Sequence, residues 1–204
     1  MKMKNWIFFT GAPGSRWSGV SQHIRDHGTN VDNTDLVPEK QYTHHKYSGH
    51  IGNYYGPGML NGQWLGREFG SWNLWQKEIA KSYLGKDDDI KLILSHNFAY
   101  YLNDIKETFQ GSKIVMCYRP DDECYKWWHE AGGWDISYPN YEWYKDNTTM
   151  NHQITEQNKA ILDFCYKHNL TLQKPGREWL RNEFNIDADF IFEKDVWIAV
   201  YDPN

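Results

Sequence analysis

The sequence has few cysteines, and their number and spacing argue against two kinds of stabilised fold. Only three occur, Cys117, Cys124 and Cys165. An odd number of cysteines without a Cys-x-x-Cys pair argues against a disulfide framework and against a cysteine-based zinc site. We therefore expect all three to be reduced thiols with structural roles.

Long hydrophobic runs and basic clusters are lacking too. The apolar run nearest the N-terminus, Trp6 to Phe9, is too short for the core of a signal peptide or for a membrane span. Acidic residues outnumber basic ones by 27 to 22, and no helix rich in Arg or Lys stands out, which disfavours a nucleic-acid polymer as partner. These features predict a soluble, cytoplasmic protein that binds neither membranes nor nucleic acids.

Aromatic side chains, by contrast, are abundant. They make up 17% of the 204 residues, while apolar residues as a whole stand at an ordinary 40%. The excess therefore lies in large flat rings, and exposed rings of this kind often line binding clefts. The alternative is that they pack a loop-rich domain. The length fits one domain, residues 1–204, with a buried core.

Three short apolar segments have the character of buried parallel strands. They are Trp6–Phe9, Ile90–Leu94 and Lys113–Tyr118. Other elements are expected as helices at 20–27, 71–85, 100–109, 121–129 and 151–168, the last capped by Thr149, and as a final strand at 196–201. Strands that alternate with helices predict an α/β domain with a central, mainly parallel sheet flanked by helices.

Residues 40–66 follow neither a helical nor a strand period. Histidines and tyrosines alternate with glycines there, which predicts a long aromatic-rich loop with a functional role. His44, His45 and His50 would be the ligands of a metal site in this loop. That interpretation is disfavoured because no carboxylate or cysteine partners accompany them.

The polar residues that follow the three strands form the candidate site, because ligands of open α/β sheets bind beyond the carboxyl ends of the strands. After the first strand, the small residues between Gly11 and Ser18 let backbone N–H groups approach a phosphate, and Arg16 adds a positive charge. A Walker A loop would have Gly-Lys where this chain has Arg16-Trp17, which argues against ATP or GTP hydrolysis. The alternative is a plain turn.

The other two strand ends carry a histidine and an arginine. His96 is placed to accept a proton from a substrate hydroxyl, unless it is an ordinary surface or core histidine. Arg119 has a planar fork that suits a phosphate. Its alternative role is a salt bridge with Asp121 or Asp122.

In order and spacing, these three segments resemble the sulfotransferases that use 3′-phosphoadenosine 5′-phosphosulfate as donor. The first loop of that family has the form GxP[RK]SGT[ST], which Gly11, Pro13, Ser15 and Ser18 match. Residues 90–97 are similar to the strand that leads to [KT][ST]H in the family, and residues 113–126 to the strand that leads to RxPxDxxxS. The resemblance covers roughly residues 5–130.

The resemblance implies a three-layer fold like that of the P-loop NTPases, and transfer of a sulfuryl group from the donor to a hydroxyl or amine. The acceptor would be a small molecule or a carbohydrate, and no metal would be required. In this interpretation His96 is the general base, and Arg16 supplies the cation that stabilises the leaving group. The implied donor-binding residues are Pro13, Gly14, Ser15, Arg16, Trp17, Ser18, Arg119 and Lys126.

Several positions depart from the family pattern. Gly14 replaces the basic residue of the loop, Arg16 stands where glycine is usual, and Leu94 stands where many members have lysine. Lys126 falls on the position of the serine that binds the 3′-phosphate. Two alternatives follow: a P-loop kinase of small molecules or nucleotides, whose loop lysine is missing here, and a catalytically silent nucleotide-binding domain of the same fold.

Overall fold

The computed structural model describes residues 5–32, 83, 85–136 and 144–203. Within these ranges the strands are β1 (Trp6–Gly11), β2 (Lys91–Leu94), β3 (Lys113–Tyr118) and β4 (Trp197–Tyr201). The α-helices are α1 (Trp17–His27), α2 (Leu102–Thr108), α3 (Asp121–Glu130), α4 (Asn147–Lys167) and α5 (Arg177–Phe184). Short 3₁₀ helices span His96–Tyr101 and Gly133–Asp135.

The strands form one mixed sheet with the order β2-β1-β3-β4. β1 pairs in parallel with both β2 and β3, whereas β4 runs antiparallel to β3. In this register Phe9 lies opposite Leu94, and Gly11 lies opposite Cys117. The carboxyl ends of the three parallel strands therefore meet at one edge, which confirms the predicted α/β class and the mainly parallel sheet.

Alternate side chains of β1 enter two hydrophobic cores, as the two-residue period of a strand requires. Phe8 packs with Ile105 of α2 and Phe164 of α4 in one core. Ile7 and Phe9 belong to the other, together with residues of α1 and α5. Helices thus contribute to both cores, an arrangement compatible with a three-layer α/β fold.

The helices α1 and α4 begin several residues before the predicted positions. α1 begins at Trp17 instead of Val20, directly after the left-handed backbone of Arg16. The prediction that Thr149 caps α4 was wrong, because Asp146 is the N-cap residue and its side chain accepts a hydrogen bond from the Thr149 amide at 2.8 Å. The Thr149 hydroxyl contacts the Asp146 amide in return, which completes a capping box.

Several sequence predictions lie outside the described residues. They concern the loop at 40–66 with its three histidines, most of the helix at 71–85, and part of the aromatic-rich stretch 132–148. Within the described ranges, all three cysteines are buried and free, in agreement with the prediction of structural thiols. None of the described helices is both long enough and apolar enough to cross a membrane.

Candidate functional site

The loop between β1 and α1 turns tightly at the end of the sheet. The Ser15 amide donates a hydrogen bond to the Ala12 carbonyl at 3.0 Å. Gly14 has a φ of 80°, and a Cβ added there would overlap the main-chain carbonyl of Cys124 in α3. Glycine is therefore required at position 14, because neither the positive φ nor the contact with Cys124 accommodates a side chain.

Arg16 has a left-handed backbone conformation, which glycine adopts more readily than other residues. Its φ of 71° and ψ of 7° are left-handed, which costs a non-glycine residue roughly 1 kcal/mol or more. The side chain is well anchored, because Cζ lies 4.2 Å from the centroid of the Trp127 ring and Nε donates to Glu193 Oε2 at 3.1 Å. The chain thus tolerates local strain and fixes a cation beside the loop.

Ser15 lies at the N-terminus of α1 with its side chain fully buried. Its Oγ has no hydrogen-bond partner within the described part of the chain. A buried hydroxyl without a partner costs about 1–3 kcal/mol, so an unexplained group of this kind points to a ligand. The first-turn N–H groups of α1 are further donors, and no acidic side chain lies in that turn.

Other residues of the loop have structural roles. Trp17 is 4% exposed and packs in the core with Phe9 and Val20, so an anion at the loop would meet its main-chain amide. Pro13 is buried as well. Ser18 is half-buried, and its carbonyl accepts a hydrogen bond from the Ser21 hydroxyl.

His96 follows β2 and is buried, with 2% exposure. Its main-chain carbonyl accepts a hydrogen bond from the Thr10 hydroxyl at 3.1 Å, which ties the end of β2 to the end of β1. Its Nδ1 atom lies 3.1 Å from Nε2 of Gln157 in α4. Burial lowers the pKa of His96 from 6.5 to about 3, because the charged imidazolium is poorly solvated in the interior. The imidazole is therefore neutral at physiological pH.

Arg119 follows β3 and is 4% exposed. Its Nε donates to Asp195 Oδ2 at 2.7 Å, and Nη2 lies 3.7 Å from Glu123 Oε2. Its Nη1 is buried and has no partner among the residues that the structure describes. The alternative of a salt bridge to Asp121 or Asp122 is not what the structure shows, because Asp121 accepts hydrogen bonds from Thr155 and Asn158 instead.

Lys126 lies on the exposed side of α3. Its side chain is 65% exposed, and Nζ lies 3.8 Å from Glu123 Oε2. Glu123 thus contacts both Lys126 and Arg119. A pair this exposed contributes little to stability, so Lys126 is available to contacts made from the solvent side.

Two tryptophans link the residues that the sequence predicted. The Trp127 ring lies below the guanidinium groups of both Arg16 and Arg119, with Cζ distances of 4.2 and 5.7 Å to its centroid. The rings of Trp17 and His96 are 6.5 Å apart, centroid to centroid. The loop between β1 and α1 therefore lies beside both Arg119 and His96, at one edge of the sheet.

Sequence reasoning missed three residues of this site, namely Gln157, Glu193 and Asp195. Gln153 and Gln157 are spaced i, i+4 in a helix whose apolar residues were recognised, and this polar pair in a buried helix face was a usable signal. Nothing in the local sequence of Glu193 or Asp195 indicated that they pair with distant arginines.

The described residues contain no group of three or more His, Cys, Asp or Glu side chains that could hold a metal ion. Compared with family models, with curated proteins and with solved structures, the chain has no significant match. The residues of the site therefore carry the functional inference.

Proposed function

We propose that this chain is a P-loop domain of the sulfotransferase type. It would bind 3′-phosphoadenosine 5′-phosphosulfate at the carboxyl ends of β1, β2 and β3, and transfer the sulfuryl group to a hydroxyl or amine of a small-molecule or carbohydrate acceptor. The observation that carries the proposal is the buried, unpartnered hydroxyl of Ser15 at the N-terminus of α1, next to the fixed cation of Arg16.

The loop supplies the donors that an anionic group needs. The Ser15 hydroxyl and the first N–H groups of α1 lie at the same turn, and Arg16, the N-cap residue of α1, adds a guanidinium. Ser15 is buried, and attraction between donors and an anion is stronger where water is excluded. An anion held here would also give the Ser15 hydroxyl the partner that it lacks.

Arg119 would hold the second phosphate, at the 3′ position of the nucleotide. Two of its nitrogens already face Asp195 and Glu123, which fixes the plane of the guanidinium. The remaining buried nitrogen, Nη1, is the donor for a phosphate oxygen. Lys126 would contribute only from the solvent side, because its side chain is largely exposed.

The bound donor would supply the sulfuryl group. The residues of the chain would stabilise the charge of the leaving group and accept the proton of the acceptor. Arg16 and the amides of α1 would stabilise the negative charge that grows on the leaving phosphate. His96 would accept the proton of the acceptor. A pKa of about 3 makes it a weak base, so it would take the proton only as the acceptor oxygen is being bonded.

A second candidate function is nucleotide binding without transfer. The ion pairs favour it, because a carboxylate faces each cation of the site: Glu193 faces Arg16, Asp195 faces Arg119, and Glu123 faces Lys126. Because Glu193 already balances the charge of Arg16, less positive charge is left to stabilise the negative charge that would develop on a leaving phosphate during transfer.

The test is an assay with labelled donor against a panel of small-molecule and glycan acceptors. We expect transfer by the wild type, and a loss of about 100-fold or more in His96→Ala with unchanged nucleotide affinity. Binding of donor without transfer to any acceptor would support the second candidate. Absence of donor binding would contradict both, and unchanged transfer by His96→Ala would remove that residue from the mechanism.

A further inference from the structure

The side of α4 that faces the end of β2 is unusually polar. Gln153, Gln157 and Asn158 are at most 7% exposed, although they lie in the interior between this helix and the edge of the sheet. Burying a carboxamide is unfavourable unless it forms hydrogen bonds, so apolar residues would pack better at these positions. Of these three residues, Gln157 contacts His96, whereas Gln153 accepts a hydrogen bond from the Tyr100 hydroxyl and Asn158 donates to the Arg119 carbonyl.

Gln157 is the residue in direct contact with the imidazole. Its Nε2 lies 3.1 Å from His96 Nδ1 and 3.4 Å from Asn97 Oδ1. An amide nitrogen donates and does not accept, so in this arrangement the two hydrogens of Nε2 point to these two acceptors. His96 Nδ1 then carries no hydrogen, and a neutral imidazole has its single proton on Nε2.

The position of that proton decides what His96 can do. With the proton on Nε2, that nitrogen can only donate a hydrogen bond and cannot accept a proton. To act as a base through Nε2, the ring must instead have its proton on Nδ1, where it needs an acceptor. Gln157 can supply that acceptor, because its Oε1 is the other half of the same carboxamide.

The Gln157 carboxamide can form the same number of hydrogen bonds in two orientations, one with Nε2 toward His96 and one with Oε1 toward it. Gln157 Oε1 and Asn97 Nδ2 are both buried and have no partner among the described residues. If both carboxamides turn over, Oε1 accepts from His96 Nδ1–H and from Asn97 Nδ2–H. The ring releases its Nε2 proton to solvent and takes one at Nδ1, so its net charge is unchanged. The pair of orientations is therefore a bistable element.

We propose that Gln157 is a positioning residue that determines which ring nitrogen of His96 carries the proton. In the ligand-free protein, that nitrogen is Nε2. The form that acts as a base requires the carboxamides of Gln157 and Asn97 to turn over. This inference rests on the proposed function for its catalytic consequence, whereas the position of the proton can be measured without any activity.

The experiment is long-range ¹H–¹⁵N NMR of the protein labelled in histidine, with the His96 signals assigned by their loss in His96→Gln. For the wild type we expect an unprotonated Nδ1 and a protonated Nε2. In Gln157→Glu the carboxylate can only accept, so Nδ1 becomes protonated. The matched control is Gln153→Glu, which lies on the same buried face but bonds to the Tyr100 hydroxyl, and it leaves the His96 signals unchanged.

A protonated Nδ1 in the free wild type would overturn the proposal, and so would a Gln157→Glu variant with an unprotonated Nδ1. If Gln157→Glu does not fold, the wild-type spectrum alone decides. In the transfer assay, Gln157→Met should lower kcat about tenfold or more and leave KM nearly unchanged. Proton positions as expected, without transfer by any variant or by the wild type, would refute the proposed function and not the role of Gln157.

Discussion

Arg119 donates through Nε to Asp195 Oδ2 at 2.7 Å, across 76 positions of the sequence. Two residues before Asp195, Glu193 accepts a hydrogen bond from Arg16 at 3.1 Å. One short segment before β4 therefore supplies a carboxylate to each arginine of the candidate anion site. These carboxylates hold the guanidinium groups in place, and they also compete with any anionic ligand.

Replacing Glu193 by Gln should strengthen anion binding. The amide keeps the size of the side chain but removes the negative charge beside Arg16, so we expect affinity for adenosine 3′,5′-bisphosphate to rise about fivefold, or ~1 kcal/mol. Calorimetric titration at low salt measures it. The control is Asp187→Asn, whose carboxylate pairs with Arg177 and Arg181 instead. Weaker binding by Glu193→Gln would mean that the carboxylate orients Arg16 more than it competes.

Arg16 combines a strained backbone with a functional side chain, and two substitutions separate these effects. Arg16→Ala removes the guanidinium and keeps the left-handed φ of 71°, whereas Arg16→Gly removes both the guanidinium and the strain. We expect Arg16→Gly to be more stable than Arg16→Ala by about 1 kcal/mol in urea denaturation. Both should bind the bisphosphate equally weakly. Equal stability of the two variants would show that the backbone at this position is not strained.

Gly14 should tolerate no side chain. A Cβ would overlap the main chain of Cys124 in a backbone conformation that L-residues avoid, so Gly14→Ala should destabilise the fold by about 2–4 kcal/mol. Gly19→Ala is the comparison, because a Cβ there meets the end of the flexible Arg16 side chain at 3.4 Å and the Phe192 ring at 3.7 Å, without a clash, and alanine favours the helix. Thermal unfolding of the two variants tests this, and a Gly14→Ala variant as stable as Gly19→Ala would refute the packing account.

The strand ends could be predicted because buried parallel strands are short apolar runs, and the polar residues after them stand out. The hydrogen-bond and ion-pair partners of those polar residues could not be predicted from the sequence. Asp121 and Asp122 are close to Arg119 in sequence, but Asp121 accepts hydrogen bonds from Asn158 and Thr155. The carboxylate that accepts from Arg119 Nε belongs to Asp195, which follows α5 in the sequence. Such pairings depend on how distant elements pack, which local patterns do not encode.

The departures at Gly14 and Arg16 teach a similar lesson. From the sequence, we interpreted Gly14 as the loss of a basic side chain and Arg16 as the residue that replaces its positive charge. The structure adds the steric cause at Gly14, which lies against Cys124, and the left-handed backbone at Arg16. The close approach of the main chain at Gly14 to Cys124 cannot be inferred from residue types alone. Nor can the positive φ at position 16, because arginine rarely adopts that conformation.

His96 should make stability depend on pH. Its pKa is about 3 in the folded chain and 6.5 when unfolded, so the unfolded chain binds a proton first as pH falls. The contribution of His96 to the free energy of unfolding is therefore fully present well above pH 6.5 and is lost as the pH falls toward 3. Between pH 6.5 and 5 the wild type should lose about 1–2 kcal/mol more than His96→Gln, because other titrating groups, such as His23, are common to both chains. Urea denaturation at both pH values measures the difference, and parallel losses would contradict the burial of a neutral imidazole.

The most direct measurement is the shift in Tm produced by adenosine 3′,5′-bisphosphate, compared with ATP, ADP and GTP at equal concentrations. If Ser15, Arg16 and Arg119 form one anion-binding crevice, the bisphosphate should raise Tm in a concentration-dependent way and more than the other nucleotides, because a ligand that binds only the folded state stabilises it. Replacing Ser15 by Ala should reduce that shift. No shift with any concentration of the bisphosphate, or a larger one with ATP and magnesium, would contradict the account.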